Sequence, residues 1–117
     1  MPTLYGLVNG AGERLREARE FLRLDQRQFA SLLQISHSQY SKMERNERPL
    51  NPKFVRALDK KGINVDYILT GNGTIKLSPD VGRLASNIRS LTEPQQKMIE
   101  AIIETFLKEN EKEKGRE

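Results

Sequence analysis

Cysteine and tryptophan are absent from this 117-residue chain, histidine occurs once, and aromatic residues make up only 6% of it. Without cysteine there are no disulfides, no thiolate zinc sites and no thiol nucleophile, a composition suited to a reducing cytoplasm. The lone histidine, His37, cannot build a multi-histidine metal site or a pair of imidazoles for acid–base work. No apolar run approaches the roughly 20 residues of a membrane-spanning helix, and the opening residues lack the charged-then-apolar pattern of a secretion signal. Neither a nucleophile–base set nor a phosphate-cradling glycine loop is present; Gly71-Asn72-Gly73 reads as a turn. The expectation is a cytoplasmic, non-enzymatic protein with no cofactor, no metal and no membrane segment. A hydrophobic content of 36% and a mean hydropathy of −0.68 allow it a modest core.

What is present is unevenly distributed. Residues 1–71 hold 12 Lys/Arg against 8 Asp/Glu, whereas residues 72–117 hold 8 against 8. The whole basic surplus therefore lies in the first part of the chain. A basic surface attracts polyphosphate through counterion release, whatever the base sequence.

Apolar spacing and capping residues divide the chain into helices. Residues 1–12 are punctuated by Gly6, Gly10 and Gly12 and carry Leu4, Tyr5, Leu7 and Val8, which suits an arm, an extra turn or a packing strap. Leu15, Ala18 and Leu22 mark one face of a helix over about 13–23. Asp25 is placed to cap a second helix whose Phe29, Leu32 and Leu33 point inward. Ser36 caps a third over about 37–45. Asn51 caps a fourth, with Pro52 in its first turn and Phe54, Val55 and Leu58 on its inner side. Asn64 opens a last short helix, closed by Gly71.

From Leu24 to Asn46 the chain reads LDQRQFASLLQISHSQYSKMERN: an apolar helix face, a tight turn at Ile35-Ser36, and a short helix with a polar outer face. Here it resembles the Cro/C1-type (XRE-like) helix-turn-helix regulators of prokaryotes and phages. Leu24-Asp25-Gln26 with Phe29-Ala30 is similar to the start of that family's second helix. Ile35-Ser36 matches its turn, Met43-Glu44-Arg45 the end of its third helix, and residues 64–71 (NVDYILTG) its last helix. The resemblance covers residues 13–71 without a gap. It implies an all-α protein with a compact five-helix, lambda-repressor-like DNA-binding domain.

The same resemblance assigns roles. His37, Ser38 and Lys42 become readers of base edges in the major groove, with Gln39 reading a base or a sugar-phosphate. Gln26, Ser41, Arg45, Arg48, Asn51 and Lys53 become contacts to the DNA backbone, Arg45 and Arg48 foremost. Tyr40 and Met43 fall on the inner face of the third helix and read as core. Arg19 and Glu44 match two positions that form a structural ion pair between the first and third helices. Three positions depart from the family pattern: Arg23, Gln34 and Asn46 stand where glycine is usual. A left-handed backbone at a non-glycine residue costs about 1 kcal/mol or shifts the turn, and asparagine tolerates it best.

Beyond Gly71 the sequence changes character. Residues 72–78 read as a linker, with Thr74 to Leu77 a short extended piece. Residues 79–113 read as a C-terminal helical oligomerisation segment, and 114–117 as a flexible tail, with fraying expected from Lys108 onward. Ser78-Pro79 starts a helix marked by Val81, Leu84, Ile88 and Leu91; Thr92 and Gln95 form a capping box for the next. That helix carries Met98, Ile99, Ile102, Ile103, Phe106 and Leu107, a stripe too apolar for solvent. The five-helix core is already closed at this point, so the stripe is expected to bury itself elsewhere, by folding back on the preceding helix, by pairing with a second subunit, or by both together. The sequence thus leads to a homodimeric transcriptional regulator, a repressor on a palindromic operator in double-stranded DNA. The alternative is an antitoxin or adaptor whose C-terminal helices bind a protein partner.

Overall fold

A helix begins where a side-chain acceptor meets the orphan N–H groups of its first turn, and this chain supplies such acceptors repeatedly. The structure, a computed structural model, describes residues 10–115, with side chains as far as Glu109. Seven helices occur among the described residues: α1 (Ala11–Phe21), α2 (Gln26–Leu33), α3 (His37–Glu44), α4 (Pro52–Lys60), α5 (Val65–Thr70), α6 (Pro79–Arg89) and α7 (Glu93–Gly115). Asp25, Ser36, Asn51, Asn64 and Ser78 each accept a backbone N–H at the start of α2 to α6. Asp25 completes a capping box with Gln28, and Thr92 does the same with Gln95 ahead of α7. The expected N-terminal arm, including Leu4, Tyr5, Leu7 and Val8, falls on residues 1–9 and so lies outside the described residues, except for its last three positions.

Those three positions alter the expected first helix. It starts at Ala11 rather than at Glu13, because Asn46, from the loop after α3, caps it across the fold. Asn46 Oδ1 accepts from the Gly12 N–H at 3.0 Å, and its Nδ2 donates to Glu13 at 2.7 Å. Gly12 is buried where α1 crosses the end of α3. A Cβ there would lie 2.3 Å from the Glu44 carbonyl oxygen, so only glycine fits the crossing.

The core is built by Leu15, Ala18 and Leu22 of α1, Phe29, Leu32 and Leu33 of α2, Tyr40 and Met43 of α3, and Phe54 and Leu58 of α4. Tyr40 stands edge-on to Phe29, with ring centroids 5.3 Å apart, and also leans on Phe54. Small Ala30 lets α2 and α3 approach. Arg23, Gln34 and Asn46 all adopt positive φ near 60°, so the turns keep the left-handed geometry without glycine. The turn angle therefore survives the substitutions, and the chain carries their cost.

The five helices of the expected domain are present as α1–α5, but their core does not close there, contrary to the expectation. Val81 and Ala85 of α6 are fully buried against α2 and Ile88 is partly buried, whereas Leu84, expected inward, is 38% exposed. Arg89 reinforces this docking by donating to the Leu22 carbonyl at the end of α1. Between α5 and α6 the described chain forms no strand. Asn64 instead pins it, its N–H reaching the Lys76 carbonyl and its Nδ2 the Thr74 carbonyl. The last helix, α7, lies on α2 and runs to Gly115; of the expected tail, residues 116–117 lie outside the described residues.

Gly12 gives a test with an unusual sign. Glycine to alanine inside a helix ordinarily stabilises by up to about 1 kcal/mol. Gly12→Ala should instead destabilise by roughly 1–3 kcal/mol, as overpacking forces α1 away from Glu44. Urea denaturation of the full chain checks this.

Candidate nucleic-acid interface

The third helix has two chemically opposed faces, and their separation follows from its sequence HSQYSKME. Tyr40, Met43 and Glu44 turn inward and are buried; His37, Ser38 and Lys42 are exposed, as is Arg45 just beyond the helix. Ser41 and Gln39 are half-buried between the two faces. Three of the four expected base readers therefore share an open face at the start and middle of α3. Gln39 is set apart. It lines a groove of about 310 Å³ with Arg48, Asn51 and Lys53 on one side and Glu104, Leu107 and Lys108 of α7 on the other.

A carboxylate beneath α3 fixes this helix in place. Glu44 receives Arg19 Nε at 3.0 Å and Arg19 Nη2 at 3.1 Å, a two-pronged ion pair whose side chains are 13% and 6% exposed. The Tyr40 hydroxyl and Gln26 Nε2, the latter at 3.0 Å, also donate to it. Burial pushes the Glu44 carboxyl up, but hydrogen bonds from Arg19, Tyr40 and Gln26 outweigh it and hold the group below its ordinary range. The Tyr40 hydroxyl is shifted the other way, first by burial and then by its bond to the Glu44 anion.

The expected backbone contacts are engaged to different degrees. Gln26 bridges two groups, donating to Glu44 while its Oε1 lies 3.2 Å from His37 Nε2, which leaves one amide N–H for a phosphate oxygen. Arg45 pairs with Glu47 at 2.6 Å and donates to Ser41 Oγ. The Arg45–Glu47 pair is more than half exposed, so it is worth little and a phosphate can displace it. Asn51 spends its Oδ1 on capping α4 but keeps its amide donors. Arg48 and Lys53 are exposed.

Two features of this surface carry no signal in the sequence. Arg27, beside Gln26 in the first turn of α2, is clamped by Glu100 at 2.8 Å and Glu93 at 3.0 Å, both from α7. Buried Gln96 donates to Ser31 Oγ at 2.9 Å and locks the same two helices. The apolar stripe is thereby split. Ile99, Ile103 and Leu107 are partly covered, whereas Met98, Ile102 and Phe106 remain 63%, 52% and 65% exposed. No helix among the described residues is long and apolar enough to cross a membrane.

A family model described as a helix-turn-helix domain matches residues 12–74. No curated protein and no solved structure matches the chain.

The Glu44 network makes its own prediction. Glu44→Ala strands the Arg19 guanidinium and should cost about 3–5 kcal/mol. Because the folded carboxyl sits below its ordinary value of 4.5, its contribution is full above that pH and is lost as pH falls further. Urea melts of wild type should therefore lose stability more steeply below pH 4.5 than those of Glu44→Gln. Parallel profiles would show that the buried group carries no charge.

Proposed function

The chain belongs to the helix-turn-helix domain family, of the Cro/C1 type, and on that premise we propose that this DNA-binding regulator is a sequence-specific repressor acting as a homodimer on a palindromic operator. The observation that carries the reading is the open face of α3, where His37, Ser38 and Lys42 stand clear of the core on a helix of fixed orientation. Lys42 donates to guanine O6 or N7, and His37 and Ser38 meet bases at the helix start. Arg45, Arg48, Asn51, Lys53, Ser41 and the second amide hydrogen of Gln26 hold phosphates around the rim. The basic surplus of the first 71 residues supplies the sequence-independent attraction. Gln39 contacts sugar-phosphate rather than a base, since it lies among the rim residues. A cytoplasmic site of action belongs to the same proposal.

One α3 covers too few base pairs to select a site in a genome, and two heads on a two-fold axis overcome this. The exposed ridge of α7 supports such pairing. Met98, Ile102 and Phe106 stand four residues apart, and ridges of this spacing interdigitate with their own copies. With Ile102 on the axis, each Met98 meets the partner's Phe106. The same ridge also suits a different protein, which keeps the antitoxin or adaptor reading as the second choice.

Selection of bound duplexes from a randomised pool at near-physiological salt tests the function. A palindrome with half-sites about one turn, ~34 Å, apart is expected; absence of any enrichment contradicts the proposal. Lys42→Ala should relax the preference at one position of each half-site. Arg45→Ala should weaken binding to all duplexes alike and flatten the salt dependence by about one unit of slope. Ile102→Glu should convert the dimer to monomers in analytical ultracentrifugation. A wild-type chain that sediments as a monomer and captures a protein through this ridge selects the second reading.

A further inference from the structure

The amide of Gln26 has only one orientation compatible with its neighbours. On one side lies the Glu44 carboxylate, which also accepts two hydrogen bonds from the Arg19 guanidinium and one from the Tyr40 hydroxyl. An ionised carboxylate offers no donor, so the Gln26 group facing it must be the NH2, as the 3.0 Å contact has it. The other end of the amide, Oε1, is then an obligate acceptor, and it faces His37 Nε2 at 3.2 Å. Only a nitrogen carrying hydrogen can satisfy that contact. A neutral imidazole has a single N–H, so placing it on Nε2 leaves Nδ1 bare. No described group hydrogen-bonds to Nδ1, and His37 is exposed at the first position of α3.

We infer that Gln26 is a positioning residue that fixes the tautomer of His37, and that the base met by His37 is one with an exocyclic amine, adenine or cytosine. In the major groove the hydrogen-bond donors are adenine N6 and cytosine N4; guanine and thymine present only acceptors and a methyl group. A bare Nδ1 accepts from the amines and is repelled by guanine O6 and N7. The choice between amine-bearing and keto bases is thus set by a chain of polarity. It begins with the buried Arg19–Glu44 pair, passes through Gln26 and ends on the reading surface. The inference rests on the proposed role of α3 as the DNA reader and deepens it.

The test uses the full chain at pH 8 and duplexes carrying the selected site. His37→Ala first identifies the base pair it reads, as the position whose preference is lost. At that pair, removing the amine (purine for adenine, pyrimidin-2-one for cytosine) should weaken wild-type binding roughly 5- to 150-fold. A 7-deazapurine should be tolerated, and His37→Ala should not distinguish these analogues. Gln26→Ala frees the ring to present either nitrogen, so the amine dependence should shrink several-fold as a ratio, whatever happens to overall affinity. Sensitivity to the 7-deazapurine with tolerance of amine removal overturns the inference, as does a site in which His37→Ala relaxes no position. In both cases sequence selection by the wild type persists and the regulator reading stands. Failure of the wild type to select any site overturns that reading itself.

Discussion

The Glu44 carboxylate, buried where three helices meet, is the constraint on which the remainder of the structure depends. It accepts four hydrogen bonds from Arg19, Tyr40 and Gln26, so it joins α1, α2 and α3 at one point. A charge removed from water is tolerable only when its lone pairs are taken up by well-aligned donors, which makes the geometry strict rather than merely favourable. The Glu44 backbone takes part as well, since its carbonyl presses against Gly12. Side chain and main chain of one residue thus set both the depth of α3 and its distance from α1. Apolar packing alone, chiefly Tyr40 against Phe29 and Phe54, would leave α3 freer to rotate.

A helix anchored from beneath can afford a polar, weakly engaged outer face, and that is what α3 and its exit loop present. The groups on this surface are held by contacts that another anion can replace. Arg45 rests on exposed Glu47, and Gln26 retains an unused amide hydrogen. Beside it, α7 is tied to α2 by the Arg27–Glu100 and Arg27–Glu93 pairs and by Gln96. The fold therefore places its most rigid contacts under α3 and its most exchangeable ones at the rim, while an unburied apolar ridge runs along the far side of α7.

What the sequence made legible was local. Asp25, Ser36, Asn51, Asn64 and the Thr92–Gln95 pair announce helix starts within four residues of themselves, and each cap forms. Alternation of Tyr40 and Met43 with His37, Ser38 and Lys42 separates the faces of α3 at helical spacing. The positions where glycine is replaced also mark real left-handed turns at Arg23, Gln34 and Asn46. What stayed hidden depends on partners distant in the chain. Nothing near Gly12 announces the carbonyl of Glu44, and nothing near Arg27 announces Glu100, 73 residues away. Leu84 looked like core by spacing, yet α6 rotates so that Ala85, a smaller residue, sits against α2 and completes the core. Gln39, whose place on α3 suits a base or a sugar-phosphate alike, lines the groove beside Glu104, a neighbour that its own helix does not announce. Whether a helical residue faces solvent, a neighbour or a ligand is decided by tertiary docking, which periodicity does not encode.

The proposed function comes down to one physical claim, that the outward face of α3 enters the major groove on a helix held rigid by the Glu44 network. Methylation interference on a selected duplex addresses this most directly, because dimethyl sulfate marks guanine N7 in the major groove and adenine N3 in the minor groove. Loss of binding is expected on guanine N7 methylation within each half-site, with indifference to adenine N3 methylation at the A·T pairs of the same half-sites. Interference confined to adenine N3, or none at either atom, would contradict it.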